Sequence, residues 1–165
     1  MDVTSDQQGT KQQAIAPGSS AYTTLFIELV RLEIELWERL DRLQRADVGI
    51  SVAQLQSLRA VALRAGSARV QDISDDLQIT VGAASKVIDR LAHDGLVERS
   101  PHPVDRRSMV ITLTPRGAAA YESASSSASR HLAAVLGSGM DEGQAGALSA
   151  TLSALSSSLR RGAKS

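Results

Sequence analysis

Between Ser51 and Gly117 the spacing of apolar residues changes from that of helices to that of strands and back again, and no other feature narrows the fold so far. Ser51-Val52-Ala53-Gln54 fits a capping box, in which a serine hydroxyl and a glutamine amide satisfy helix-start amides that would otherwise lack partners; Leu55, Leu58 and Val61 follow at helical spacing. Gly66 is the expected stop. A second short helix, Arg69 to Leu77, carries Val70, Ile73 and Leu77 on one face, and a four-residue link (Gln78-Ile79-Thr80-Val81) leads into a third. Thr80 is the N-cap of that third helix, which turns Ala84, Val87, Ile88 and Leu91 inward and ends at Gly95. Two short helices joined by a tight turn make a helix-turn-helix pattern. Immediately after Gly95 two strand-like runs follow, Leu96 to Arg99 and Met109 to Leu113. The segment 100–108 between them holds Pro101 and Pro103, which predict that pairing stops there and a charged loop begins. Thr114-Pro115 then restarts a helix, with threonine as cap and proline at the first helical position, where its missing amide costs nothing.

The flanks are helical. From Ala21 to Arg45 two apolar stripes run side by side: Tyr22, Phe26, Leu29, Leu32 or Leu36, Leu40 and Leu43 on one, and Ile27, Val30, Ile34 and Trp37 on its neighbour. A helix with two apolar faces needs two partners, one in its own domain and one in a second subunit. Residues 117 to 136 keep a helical stripe (Ala118, Tyr121, Ala128, Leu132, Val135) through a serine-rich run that reads as small, exposed filler. A last helix starts near Asp141, and its leucines Leu148, Leu152, Leu155 and Leu159 form the seam of a helix–helix interface. Residues 1–20, polar and ending in Pro-Gly-Ser-Ser, read as a flexible tail. The expected organisation is therefore tail 1–20, N-terminal dimerisation helix 21–46, winged helix-turn-helix 47–115 and C-terminal dimerisation helices 116–165. The fold class is mainly α with a small β-hairpin wing.

Composition removes several classes of function. The chain has 165 residues and no cysteine, so disulfides, thiolate metal sites and thiol nucleophiles are excluded. Four aromatic residues (Tyr22, Phe26, Trp37, Tyr121) are too few for base-stacking platforms. His93, His102 and His131 lie in three different elements without ligand spacing, so no metal site is expected. Asp75 and Asp76 are adjacent and point apart on a helix; no nucleophile or base accompanies them, and no phosphate-binding glycine loop is present. We expect no enzyme, no cofactor and no membrane span, and a cytoplasmic protein. Eighteen basic residues balance eighteen acidic ones, so any affinity for DNA must rest on where the charges sit.

The stretch Thr80 to Gly117 resembles the MarR family of multiple antibiotic resistance regulators. The matching pieces are Gly82-Ala83-Ala84-Ser85, Asp89-Arg90-Leu91, Gly95-Leu96-Val97-Glu98-Arg99, Asp105-Arg106-Arg107 and Leu113-Thr114-Pro115-Arg116-Gly117, in that order and spacing. From Ala21 to Leu159 only element order and length match. The resemblance implies homodimeric DNA-binding repressors whose first and last helices intertwine and whose affinity for DNA is tuned by small ligands.

The residues agree with that implication. The helix opening at Thr80 presents Gly82, Ser85, Lys86, Asp89, Arg90 and His93 on its outer face. An α-helix fits the major groove of B-DNA, where Ser85 and Lys86 have donors for base edges or phosphates and Gly82 permits close approach. A loop holding Arg106 and Arg107 suits an arginine extended into the narrow minor groove. The resemblance narrows this: Arg107 inserts, Asp105 orients it, and Arg106 is assigned to phosphate. Asp89 repels phosphate and is expected to pair with an arginine of its own domain. The competing readings are an ordinary solvated helix face and a surface turn with a local ion pair. Residues 80–108 hold five basic and four acidic groups, a sum of +1, which predicts weak nonspecific binding and a shallow salt dependence.

The expected function is thus a homodimeric regulator, a repressor, binding double-stranded operator DNA at a pseudo-palindromic site and released by a small apolar or aromatic ligand. The resemblance places that ligand between the first helix and the winged domain, with Phe26, Val30 and Trp37 as apolar lining. The alternative is a winged-helix module that docks protein without touching DNA.

Overall fold

The structure is a computed structural model that describes residues 20–64, 66–102 and 108–162. All of the expected tail 1–20 except Ser20, the wing tip with Asp105, Arg106 and Arg107 (103–107) and the last residues (163–165) lie outside that description. The described elements are α1 (Ala21–Val48), α2 (Val52–Ala62), α3 (Val70–Leu77), α4 (Val81–His93), β1 (Val97–Pro101), β2 (Met109–Leu113), α5 (Pro115–Leu136) and α6 (Glu142–Gly162). The chain divides into two compact units, one up to Leu36 and one from Trp37 onward.

Within the second unit, α2, α3, α4 and the hairpin enclose an aliphatic core. Leu58, Val61, Ile73, Ile88, Leu91 and Ile111 are each at most 1% exposed, and each buried side chain of this size contributes about 1.5–3 kcal/mol. Local signals set the helix starts. The Ser51 hydroxyl accepts from the Gln54 amide N–H at 3.1 Å, and Gln54 Oε1 accepts from the Ser51 N–H at 3.0 Å, completing the expected box. At α3 only half a box forms: the Asp72 carboxylate accepts from the Arg69 N–H at 2.8 Å, and arginine has no acceptor to return. α2 stops at Ala62, before Gly66, which instead turns the chain at φ +89°. Gln78, left-handed at φ +53°, makes the turn between α3 and α4, and Thr80 caps α4 as expected.

α4 ends in a Schellman motif. The Gly95 N–H donates to the Ala92 carbonyl at 3.0 Å and the Leu96 N–H to the Leu91 carbonyl at 2.9 Å, with Gly95 at φ +68°. The chain then enters β1, which pairs with β2 antiparallel in the register Val97↔Leu113 to Pro101↔Met109. The expectation that the prolines end pairing fails at Pro101. Because the His102 N–H donates to the Ser108 carbonyl at 2.9 Å, hydrogen-bonded pairs fall at 102/108, 100/110 and 98/112. Pro101 lies at a non-hydrogen-bonded position, its nitrogen faces away from β2, and no ladder bond is lost. The alternation also leaves the Ile111 N–H facing outward, where it donates to the Ala68 carbonyl at 2.8 Å and ties the hairpin to the segment before α3.

Thr114 caps α5 and Pro115 opens it, as the sequence predicts. The serine-rich stretch is helical, but it is not all exposed filler: Ala124 and Ser127 are fully buried. The Ser127 hydroxyl donates to Asp47 Oδ2 at 2.5 Å, and the Gln44 amide, itself fully buried, donates to the Ala124 carbonyl at 2.8 Å. α5 therefore packs against the C-terminal end of α1 through small residues and polar contacts. α6 begins at an Asp141–Gln144 box and buries none of its residues.

Candidate nucleic-acid interface

α4 has thirteen residues, about 20 Å of helix, with its apolar positions Ala84, Ile88 and Leu91 sealed in the core. The opposite face is open. Gly82, Lys86, Asp89, Arg90 and His93 are exposed and Ser85 is half-buried. Exposed Thr80 stands at the start of the helix, its hydroxyl accepting from the Ala83 N–H at 3.2 Å. A methyl group at Gly82 would meet nothing within 4 Å, so the fold itself does not require glycine there.

Asp89 does pair within its own domain. Arg99 Nη1 on β1 lies 2.7 Å from Asp89 Oδ1, and Nη2 of the same guanidinium reaches toward the Ser85 carbonyl at 3.5 Å. Arg99 thus joins the base of the hairpin to the middle of α4, a role that spacing alone did not assign. The available signal was a lone carboxylate on an otherwise cationic face, with an arginine beyond the turn at Gly95. Across the hairpin the Thr112 hydroxyl donates to Glu98 Oε1 at 3.2 Å. β1 and β2 carry Pro101 and Met109 to the edge of the 103–107 segment that holds Asp105, Arg106 and Arg107.

The leucines expected to form a seam share α6 and are solvent-facing in the single chain: Leu148, Leu152, Leu155 and Leu159 range from 37% to 76% exposed. In the first unit, Tyr22, Phe26, Ile27 and Val30 on α1 are likewise exposed. Single exposed apolar residues are ordinary, but these recur at helical spacing along whole faces.

A cavity of about 410 Å³ lies within the second unit, lined by Trp37, Ala53, Gln56, Ser57, Asp76, Leu77, Ile79 and Val87. Trp37, one of the residues expected as apolar lining, is among its walls. Beside it, Arg64 forms a two-pronged ion pair with Asp76, one prong at 3.0 Å, and its Nε lies 3.8 Å from Asp72. The bond to Asp76, followed by the fields of Asp72 and Asp75, raises the Arg64 pKa against the opposing effect of burial. At the junction of α1 and α5 the Ser127 hydroxyl, aided by Arg130 and His131, holds the Asp47 carboxyl below its usual pKa. Among the described residues no three metal-ligating side chains gather, and no helix is long and apolar enough to cross a membrane.

A sequence model of the MarR family matches residues 50–109, from the start of the helix-turn-helix to the second strand of the hairpin. The multiple antibiotic resistance protein MarR of Salmonella typhimurium is 32% identical over 99 residues, spanning 58% of this chain and 68% of that protein. The crystal structure of wild-type MarR from E. coli in its apo form superimposes with a TM-score of 0.62 at 27% identity, covering 77% of this chain and 96% of that one. A substituted E. coli MarR complexed with operator DNA gives a TM-score of 0.66 at 26% identity, covering 83% of this chain and 99% of that one. The helix-turn-helix, hairpin and long flanking helices, together with these matches, establish that the chain belongs to the MarR family of winged-helix transcription regulators.

Proposed function

We propose that the protein is a homodimeric repressor that reads a pseudo-palindromic operator and is released from it by a small ligand. The observation that carries this is the outer face of α4, where Lys86 and Arg90 stand free of the core beside the open Gly82 and the half-buried Ser85. That face belongs to a fold whose E. coli relative is known in complex with operator DNA. In this reading Thr80, Gly82, Ser85, Lys86 and Arg90 meet the major groove. Arg107, oriented by Asp105, enters the flanking minor groove, and Arg106 meets phosphate. Segment 47–115 forms the reading head, while 21–46 and 116–165 hold two copies together, with Leu148, Leu152, Leu155 and Leu159 as the C-terminal seam. Two heads related by a two-fold axis then require half-sites about one helical turn apart.

The test is selection of bound DNA from a random pool by the purified full chain, followed by affinity measurements over a salt series. The expected product is an inverted repeat with half-site centres about 10 base pairs apart, and Arg107→Ala should cost roughly 1–3 kcal/mol in affinity for it while leaving the dimer intact. A pool with no enriched inverted repeat and no salt-sensitive binding would instead favour a winged-helix module that docks protein. Wild-type affinity in Arg107→Ala would remove the wing assignment alone.

A further inference from the structure

We propose that the cavity beside Trp37 selects a small aromatic amine, a flat apolar body bearing a positive charge, over aromatic carboxylates. The proposal deepens the ligand-release part of the reading above and rests on that part alone. The volume, about 410 Å³, suits a small-molecule ligand. Its walls are the Trp37 indole and the Leu77, Ile79 and Val87 side chains, a lining for an apolar ring. Three polar side chains break that lining. The Ser57 hydroxyl is occupied, donating to the Ala53 carbonyl at 2.7 Å, and Gln56 is neutral. Among the described residues, Asp76 is the one charged residue lining the cavity, and no lysine or arginine lines it.

Arg64, which meets both Asp76 oxygens, offsets the local negative charge only in part. It is ion-paired with Asp76, but its Nε also faces Asp72 and the field of Asp75 acts on it as well, so one guanidinium answers three carboxylates. A ligand ammonium reduces the deficit, whereas a ligand carboxylate adds a fourth negative charge. Trp37 acts in the same direction, because the face of an indole attracts cations more strongly than any other side-chain ring does. Both features favour the same ligand charge, and at partly screened distances they correspond to a preference of about tenfold or more.

The chain's single tryptophan is in the cavity wall, so its fluorescence reports occupancy directly. Full-length protein is titrated with phenethylamine, hydrocinnamyl alcohol and hydrocinnamate, which share one aromatic body and differ in charge. The expected order of affinity is amine, then alcohol, then carboxylate, with the two extremes about tenfold or more apart. Asp76→Asn should bring the amine down to the level of the alcohol. Arg64→Met, which removes the compensating cation, should strengthen the amine further and serves as the test if Asp76→Asn fails to fold. Tighter or equal binding of hydrocinnamate, a ratio unmoved by both variants, or no saturable change with any probe overturns the proposal. Operator binding is measured separately: protein that binds DNA but ignores amines refutes only this inference, and protein that binds amines but no DNA refutes only the DNA reading.

Discussion

Adding one methyl group at Gly117 should undo more of the fold than its size suggests. Gly117 lies in the first turn of α5, where alanine normally stabilises a helix by up to about 1 kcal/mol over glycine. Here, however, a Cβ would lie 1.7 Å from the Leu96 carbonyl oxygen and 2.7 Å from its carbon. An ordinary C···O contact is about 3.3 Å, so α5 and the start of the hairpin must separate by roughly 1.5 Å. Two hydrogen bonds span that junction: the Thr114 N–H to the Leu96 carbonyl at 3.1 Å and the Thr114 hydroxyl to the Gly95 carbonyl at 2.7 Å. Losing them costs about 1 kcal/mol each, and residual overpacking adds roughly 1–3 kcal/mol. After the helix-propensity gain, Gly117→Ala should lose roughly 2–4 kcal/mol net. The assay is urea unfolding followed by circular dichroism at one fixed chain concentration, since the stability of the proposed dimer would depend on concentration. The midpoint should fall by roughly 1–2 M with an unchanged slope. Gly82→Ala is the control: nothing lies within 4 Å of its added methyl, so it should unfold no earlier than wild type, yet bind operator less tightly. A Gly117→Ala protein as stable as the parent would refute the argument that this junction is sterically closed.

The Asp89–Arg99 pair is partly exposed, 59% and 32% by side chain, so a double-alanine cycle in urea should return a coupling of only about 0.5–1 kcal/mol while each single variant weakens operator binding several-fold. No effect on DNA affinity would show that Arg99 does not position the hairpin against α4. Replacing Leu152 and Leu155 together with alanine should yield monomers in sedimentation at micromolar concentration, and a variant that stays dimeric places the seam elsewhere. Asp47 is lowered mainly by the Ser127 hydroxyl, and Asp41 is lowered because the Arg45 guanidinium and the Val52 N–H outweigh burial. Both folded values lie below the unfolded one, so their stabilisation is complete above about pH 4 and is lost as pH falls through the lowered values. Thermal melting from neutral pH downward should therefore show Ser127→Ala losing less stability below pH 4 than wild type; parallel curves would count against the Ser127–Asp47 bond.

What could be read from sequence was local. Ser51 with Gln54, Thr80, Gly95 and Thr114 with Pro115 each announce a helix end through chemistry confined to one turn, and each stands where it was expected. Pro101 was misread because a missing N–H matters only on the side that faces the partner strand, and that side depends on the register with a segment across the loop. Ser127 and Ala124 were misread because burial of small residues leaves no periodic signal; their partners Asp47 and Gln44 are 80 residues away. On the outer face of α4, Lys86 and Arg90 were legible from periodicity, whereas the link from Arg99 to Asp89 required the turn geometry at Gly95. Trp37 was legible as an apolar lining residue, whereas Asp76, which also lines the cavity, comes from a helix on which Asp75 and Asp76 read only as adjacent carboxylates pointing apart.

The Gly95–Leu96 junction also acts as a pivot. Its backbone closes the end of α4, opens β1 and anchors the cap of α5 within two residues, so those three elements have almost no freedom to move separately. α5, with 22 residues, projects from this point for roughly 33 Å. A tilt of about 5° at the pivot displaces its far end by roughly 3 Å. In the proposed ligand-released dimer, a small molecule would therefore have little to gain from bending this unit and more to gain from swinging it as one piece, a motion that would change the gap between the paired copies.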